Sequence, residues 1–515
     1  NMFLEDHFPK IKKIITEKLG KIPEKTIQNE EIMRISFRKL YQSMPSMIRI
    51  AVSEKRFEDF CMSNREKLLN FTDKISGEIL NKDFKNKNSK FNNSTSSNIA
   101  GLNSKNIKSS NAMLATAKKV FLPVYTPDLI LVKAKDSKVW DSDGNVYIDF
   151  GSGISVNNLG HKNTEILSAI KEQSEKLIHT SNLFLTEPTI ELAEYLVQST
   201  FADRVFFCNS GAEANEAAIK IARKFASMFY PIEKREIITF EGSFHGRTLA
   251  TITATAQPKY QKGFEPLPEG FFYCPFNDFD TFSEMISEKT CAVMIEPIQG
   301  EGGINCTDNR FLSHLRKLCD KHNALLIFDE IQCGMGRTGK LFAYEWESFE
   351  ENNPSLKPDI LTMAKSLGGG LPIGAMLCNE KVGLSFKPGD HGTTFGGNPI
   401  VTSVAKAMLK KINSKKMLSK VFSNGIFIKD QLNSLNKEIN VFQCIRGKGM
   451  MIGGVLTKKL EKNASDIVDE CRRNGLLILS AGANVIRLLP PLNISKIELE
   501  EGIKRLSISL KKFKS

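Results

Sequence analysis

The order of apolar and polar positions divides the chain into stretches of different character. Residues 1–80 place apolar side chains at helical spacing, as in Ile11, Ile14, Ile15 and Leu19 and again in Phe57, Phe60 and Leu68. This predicts short amphipathic helices in an extension of unknown role. Residues 81–113 are rich in Asn, Lys and Ser, with few large apolar side chains. Such a composition does not offset the entropy of ordering and predicts a disordered linker. From residue 114 the pattern changes. Val139–Phe150 alternates around Asp143-Gly144, which predicts a hairpin. The runs Arg204–Cys208, Glu236–Phe240, Ala292–Ile295 and Leu325–Phe328 then alternate with helical segments, the first opening at Gly211. This βαβ rhythm predicts an α/β protein with a mostly parallel sheet covered by helices. Beyond Pro399 come a helix, strands at Phe442–Cys444, Met450–Leu456 and Val485–Leu489, and a helix near Ala464–Asn474. The expected organisation is an N-terminal segment over 114–170, a large domain over 171–405 and a small α+β domain over 406–515.

Composition narrows the function classes. At 515 residues the chain exceeds what one core supports. The net charge of +13 is concentrated at the front, where residues 1–110 hold 21 Lys and Arg against 13 Asp and Glu. A solvated lysine-rich appendage explains that excess better than nucleic-acid binding, because no recognition motif accompanies it. No apolar stretch reaches the roughly 20 residues of a membrane span. The ten cysteines are scattered without a CxxC pair, which predicts reduced thiols and neither a disulfide framework nor a metal site. The first 30 residues lack a secretory apolar core and contain several acids, so a cytoplasmic location is expected.

The chemistry lies at the ends of the predicted strands. Lys365 sits in Ala364-Lys365-Ser366-Leu367-Gly368-Gly369-Gly370, where small neighbours allow a flat ligand to approach. Asp329 ends the run Leu325–Phe328 and is placed to hold a positive ring nitrogen. Together they suggest a pyridoxal phosphate (PLP) enzyme with Lys365 as the Schiff-base lysine. Ser210-Gly211-Ala212-Glu213 has capping-box spacing at a helix start, where open N–H groups suit a phosphate. In Glu241–Thr248, Phe244 suits stacking on a planar ring and Arg247 suits a carboxylate, or a plain surface pair. Glu296 and Glu301 end another strand and need a partner, for which Arg487 is a candidate. His391–Pro399 is a glycine-rich loop with two hydroxyls, placed to donate to phosphate or merely to turn.

Asp329-Glu330-Ile331-Gln332, Lys365 and Gly392-Thr393-Thr394-Phe395-Gly396-Gly397-Asn398-Pro399, in this order, resemble the class III (subgroup II) PLP-dependent aminotransferases over about residues 121–506. The resemblance implies the fold-type I architecture and a homodimer with shared active sites. It implies that Ser210, Gly211 and Ala212 hold the phosphate, with Thr394 reaching in from the neighbouring subunit. It further implies that Phe244 and His245 border the ring, Asp329 pairs with its nitrogen and Gln332 lies near its hydroxyl. His179–Phe184, Gln332–Gly339 and Arg487–Leu492 point to the branch acting on acylated diamino acids. The implied reaction is ping-pong transfer from N2-acetyl-L-ornithine to 2-oxoglutarate. Arg247 would bind the distal carboxylate, Glu301 would switch on and off Arg487, and Ile154 and Asn182 would line the donor site. N-succinyldiaminopimelate, 4-aminobutyrate and free ornithine remain alternative donors, and a non-catalytic scaffold is the reading from another class. Residues 1–113 have no counterpart in the compact members. Glu347–Ser355 lengthens one loop, and exposure without effect on chemistry is expected there.

Overall fold

The computed structural model describes residues 37, 41, 52–63, 109–308, 310–350 and 356–514. The chain forms two compact units, residues 1–106 and 107–515. In the first, the helix Glu54–Ser63 buries Phe57, Phe60 and Cys61. Tyr41 donates to the Val52 carbonyl at 2.6 Å, and its ring centroid lies 5.5 Å from that of Phe57. The expectations for Ile11–Leu19, Leu68 and residues 81–108 fall outside the described residues. The linker reading is corrected at its end, because residues 110–113 belong to the helix Ser110–Val120. Ser109 caps that helix by accepting from the Ala112 N–H, and the following Ala, Met and Leu residues are good helix formers.

The second unit is built on a seven-stranded sheet. Its order is Arg204–Cys208, Gly374–Cys378, Ile360–Met363, Leu325–Asp329, Thr290–Ile295, Glu236–Phe240 and Phe271–Cys274. All strands run parallel except Gly374–Cys378, which is antiparallel to both neighbours. That exception follows from local geometry. After Ile360–Met363 the chain turns within Lys365–Ile373, with Gly368 N–H bonded to Lys365 O and Leu371 N–H to Gly368 O, and returns directly. A parallel return would have needed a crossover. The central strands are buried along their whole length, as a sheet covered on both faces requires. One cover is the helix Gly211–Phe229, which buries Ala214, Ala217, Ala218, Ile221, Ala222 and Phe225. Its alanines let the helix approach the sheet closely. On the other side Phe240 meets Phe276 and Phe311 edge to face at 6.3 and 5.7 Å. A phenylalanine buried this way contributes about 1.5–3 kcal/mol from apolar transfer alone.

The hairpin expected around Asp143-Gly144 forms between Lys138–Asp141 and Val146–Asp149. Asp141 holds the turn by accepting from the Asp143 and Asn145 N–H groups. The C-terminal part is a four-stranded antiparallel sheet, Phe442–Lys448, Met451–Leu456, Val485–Leu488 and Leu479–Ser480. The helices Lys415–Ile439, Ala464–Arg473 and Lys496–Leu510 accompany it. No helix among the described residues is long and apolar enough to cross a membrane.

The stretch expected to be an exposed loop is partly structural. Glu347, in the helix Glu345–Glu350, is buried and accepts from the N–H groups of Leu312 and Ser313 at 3.3 and 2.8 Å. It therefore satisfies the start of the helix Phe311–Lys321, whose preceding residue Arg310 makes no side-chain cap. Residues 351–355 lie outside the described set. Glu347→Ala is expected to lower unfolding free energy by about 1 kcal/mol, as for a lost helix cap. A urea titration checks this, and an unchanged midpoint would contradict it.

Candidate active site

A cleft of about 440 Å³ opens at the carboxyl ends of the parallel strands. Ligands bind there in open α/β sheets because loops and helix starts converge. Each wall is the continuation of a strand. Arg204–Cys208 leads to Asn209–Ala212, and Glu236–Phe240 to Phe244–Arg247. Thr290–Ile295 leads to Glu296, Leu325–Asp329 to Gln332, and Ile360–Met363 to Lys365.

At one end stands the start of the helix Gly211–Phe229. Ser210 accepts from the Glu213 N–H at 3.2 Å, as its spacing predicts. The Glu213 carboxylate reaches one residue further back than a capping box requires, to the Asn209 N–H at 2.6 Å. Both side chains are thus engaged at the edge, and the Gly211 and Ala212 amides find no acceptor among the described residues. Two open N–H groups at the positive end of a 19-residue helix form an anion cradle.

The floor is Asp329, which is 3% exposed. Its carboxylate accepts from Asn215 Nδ2 at 2.8 Å, from His245 Nδ1 at 2.7 Å and from the Ile331 N–H at 3.1 Å. Three donors satisfy a carboxylate that burial has cut off from water. Beside it, Glu296 accepts from the N–H groups of Phe244 and Gly300. Burial pushes the Glu296 carboxyl up to about 7; His245 draws it down and Asp329 pushes it up further. Lys365 faces the same space with φ +43°, a left-handed conformation that a lysine adopts only when its surroundings impose it. Enclosure of its amine lowers its pKa from the ordinary lysine value, partly opposed by Glu301. A depressed lysine pKa favours the neutral, nucleophilic amine.

Arg247 lines the cleft with its guanidinium 4.0 Å above the Tyr260 ring and 5.6 Å from Phe244. Behind Gln332 stands Arg487, 2% exposed, which donates to Glu301 Oε1 at 2.6 Å and to Gln332 Oε1 at 2.8 Å. Burial raises the Glu301 carboxyl, but the Arg487 charge and hydrogen bond, with Lys365 and Gln332, together leave its pKa lowered. Gly300 makes room for the group, since a Cβ there would fall 2.3 Å from the Gln332 amide.

The cleft thus brings together Ser210, Gly211, Ala212, Phe244, His245, Arg247, Asp329, Gln332 and Lys365, with Glu301 and Arg487 one layer behind. Three residues lie elsewhere in the single chain. Ile154 is 40% exposed and is not in the cleft wall, where Val156 stands instead. Asn182 donates to the Thr393 and Gly396 carbonyls, and both Asn182 and Thr394 border a separate hollow. Sequence reasoning missed Asn215, Tyr260 and Arg337. Asn215 carried a readable signal, a polar residue on the apolar face of an alanine-rich helix. Tyr260 and Arg337 carried none in their spacing. Arg337 is fully buried and donates to Ser155 Oγ, Asn158 Oδ1 and the Met450 and Pro490 carbonyls. It fastens the segment beside Val156 to the strand end that follows Arg487.

A family model described as aminotransferase class-III matches residues 123–510, and the chain belongs to that family. It is 50% identical over 394 residues to the acetylornithine aminotransferase of Xanthomonas campestris pv. campestris, covering 76% of this chain and 95% of that protein. It is 48% identical over 393 residues to the succinylornithine transaminase of Photorhabdus laumondii subsp. laumondii, covering 76% and 96%. Among solved structures, N-acetylornithine aminotransferase from Stenotrophomonas maltophilia K279a matches with a TM-score of 0.67 and 41% identity, over 78% of this chain and 99% of that one. Ornithine aminotransferase from Toxoplasma gondii ME49 matches with a TM-score of 0.75 and 31% identity, over 79% and 96%.

Arg337→Met would remove a donor from four acceptors, and a buried acceptor left unsatisfied costs about 1–3 kcal/mol. The expected loss of unfolding free energy is at least about 3 kcal/mol, read by chemical denaturation. Arg337→Lys is expected to recover less than half of it, because one ammonium does not reproduce the fork of an arginine.

Proposed function

We propose that the chain is a PLP-dependent aminotransferase that moves the terminal amine of N2-acetyl-L-ornithine to 2-oxoglutarate, giving N-acetyl-L-glutamate 5-semialdehyde and L-glutamate in arginine biosynthesis. The observation that carries the assignment to a donor whose reacting amine is remote from any carboxylate is the Glu301–Arg487 pair. The terminal amine of an acylated ornithine sits on a carbon with no adjacent carboxylate. A buried arginine left unpaired beside that carbon would cost roughly 3–5 kcal/mol. Glu301 removes that cost during the donor half-reaction. In the acceptor half-reaction it swings aside, and Arg487 takes the carboxylate next to the keto group of 2-oxoglutarate. Arg247 holds the remaining carboxylate of either substrate. The acylated ornithine transaminases among the relatives support this donor class.

The residues of the cleft suit PLP. The open amides of Gly211 and Ala212 fit its phosphate, Phe244 one ring face, Asp329 its ring nitrogen and Gln332 its hydroxyl. When bound, PLP withdraws electron density from the carbon that carries the transferred nitrogen. Asp329, fixed by Asn215 and His245, would hold the ring nitrogen and favour its protonated form. Lys365, whose amine faces the same space, would hold the cofactor's aldehyde carbon and would serve as the proton carrier beside it. A second copy of the chain supplies Thr394 to the phosphate, which explains why Thr394 stands away from Lys365 in one chain. Exposed apolar side chains at Phe121, Leu122, Val124 and Tyr125, and at Leu183, Phe184, Leu185 and Phe395 beside Thr394, support burial in such a homodimer. The free state of all ten cysteines supports a reducing, cytoplasmic setting.

A donor panel with 2-oxoglutarate tests the reading. Acylated ornithines are expected to exceed free ornithine and 4-aminobutyrate by at least roughly tenfold in kcat/KM. The acetyl, succinyl and N-succinyldiaminopimelate arms separate the acyl preferences. Free ornithine or 4-aminobutyrate as the best donor would overturn it. Glu301→Ala is expected to slow the acetylornithine half-reaction more than the 2-oxoglutarate half in single-turnover absorbance. Equal losses would remove the switching role.

A further inference from the structure

Arg247 is held in a way that its charge does not explain. No carboxylate pairs with it among the described residues. Its guanidinium instead occupies a corner between two rings. The carbon lies 4.0 Å from the Tyr260 centroid and 5.6 Å from that of Phe244, and the rings themselves meet edge to face at 5.7 Å and 84°. Tyr260 belongs to the short helix Pro258–Gln261, and that helix is tied down on both sides. Gln257 donates to the carbonyls of Gly242 and Ser243, in the loop that carries Phe244 and Arg247. Gln261 donates to the Thr255 carbonyl at 2.9 Å. The ring is therefore a fixed part of the site.

The kind of contact matters. A carboxylate partner would neutralise Arg247 and occupy the N–H edge with which it must bind substrate. A ring face attracts the cation through its quadrupole, and leaves both the charge and the N–H fork available. An arginine poised for an anion is best held this way.

We propose that Tyr260 is a positioning residue that sets the preference for carboxylate-bearing substrates by holding Arg247 against its ring. The proposal rests on the reading that Arg247 binds the distal carboxylate. It goes beyond that reading in assigning part of the specificity to a residue that does not touch the substrate.

The test uses the full-length, PLP-loaded enzyme and two donors: N2-acetylornithine, and N-acetyl-1,4-diaminobutane, the same molecule without its carboxylate. The quantity read is the ratio of their kcat/KM values. Tyr260→Leu, and Tyr260→Met as a second non-aromatic variant, are expected to shrink the ratio about three- to fivefold, the range for a partly exposed cation–π contact. The change is expected through a higher KM for acetylornithine, with kcat and the decarboxylated donor unaffected. Tyr260→Phe, which keeps the ring, is expected to hold the ratio within about twofold. Arg247→Met is expected to collapse it. An unchanged ratio in both non-aromatic variants, or an equal loss with both donors, would overturn the proposal, as would a loss in Tyr260→Phe as large as in Tyr260→Leu. If Arg247→Met leaves the ratio intact, the Arg247 reading itself fails. If Arg247→Met collapses it and Tyr260→Leu does not, only the Tyr260 role fails.

Discussion

Two neighbouring buried acidic residues, Asp329 and Glu330, organise the centre of the large unit. An acid removed from water needs hydrogen-bond partners, and these two draw theirs from different segments. Asp329 gathers the helix Gly211–Phe229 through Asn215 and the Phe244–Arg247 loop through His245. Glu330, fully buried, gathers the N–H groups of Ala343 and Tyr344, and its own pKa is pushed up to about 8 by burial. Adjacent positions at the end of one strand thus fix the cleft on one side and its supporting loop on the other. The positions of Lys365, Arg247 and Gln332 depend on this frame.

The two buried arginines show a division of labour. Arg487 faces a carboxylate on a partly accessible residue, Glu301, and a neutral amide from Gln332. Arg337 faces only neutral oxygens from three distant segments, and burial lowers its pKa to about 9 while Asp149 pulls the other way. Its acceptors are backbone carbonyls and short side chains, which do not swing away. The Arg487–Glu301 pair is thus backed, at Pro490, by an arginine whose acceptors are all neutral.

Much of this was legible in the sequence where local pattern and chemistry coincide. The strands Arg204–Cys208, Glu236–Phe240 and Leu325–Asp329 stand where apolar runs predicted them, within a residue at their ends. Lys365 and Asp329 meet in one cleft because each follows a strand of the same parallel sheet. What escaped depends on tertiary partners. Glu347 reads as loop polarity until the bare start of the helix Phe311–Lys321 is placed against it. Tyr260 carries no signal in its spacing, and its part shows only in the Arg247 guanidinium above its ring. Ser110–Asn111–Ala112–Met113 reads as the tail of a polar stretch, although a cap at Ser109 makes it the first turn of a helix. The position of Thr394 is a different matter, because the proposed partner lies on another copy of the chain.

The turn Ser152–Ser155 has positive φ at all four residues, with Ile154 at +63°. A β-branched side chain in the left-handed region costs roughly 1–2 kcal/mol relative to its preferred backbone. Over generations this biases which replacements are tolerated beside Val156. Exchange of Ile154 for glycine or asparagine would relax the main chain, so the branched side chain is carried at a cost to stability. Keeping a branched aliphatic group at that point runs against this cost, and only selection on the side chain itself would maintain it.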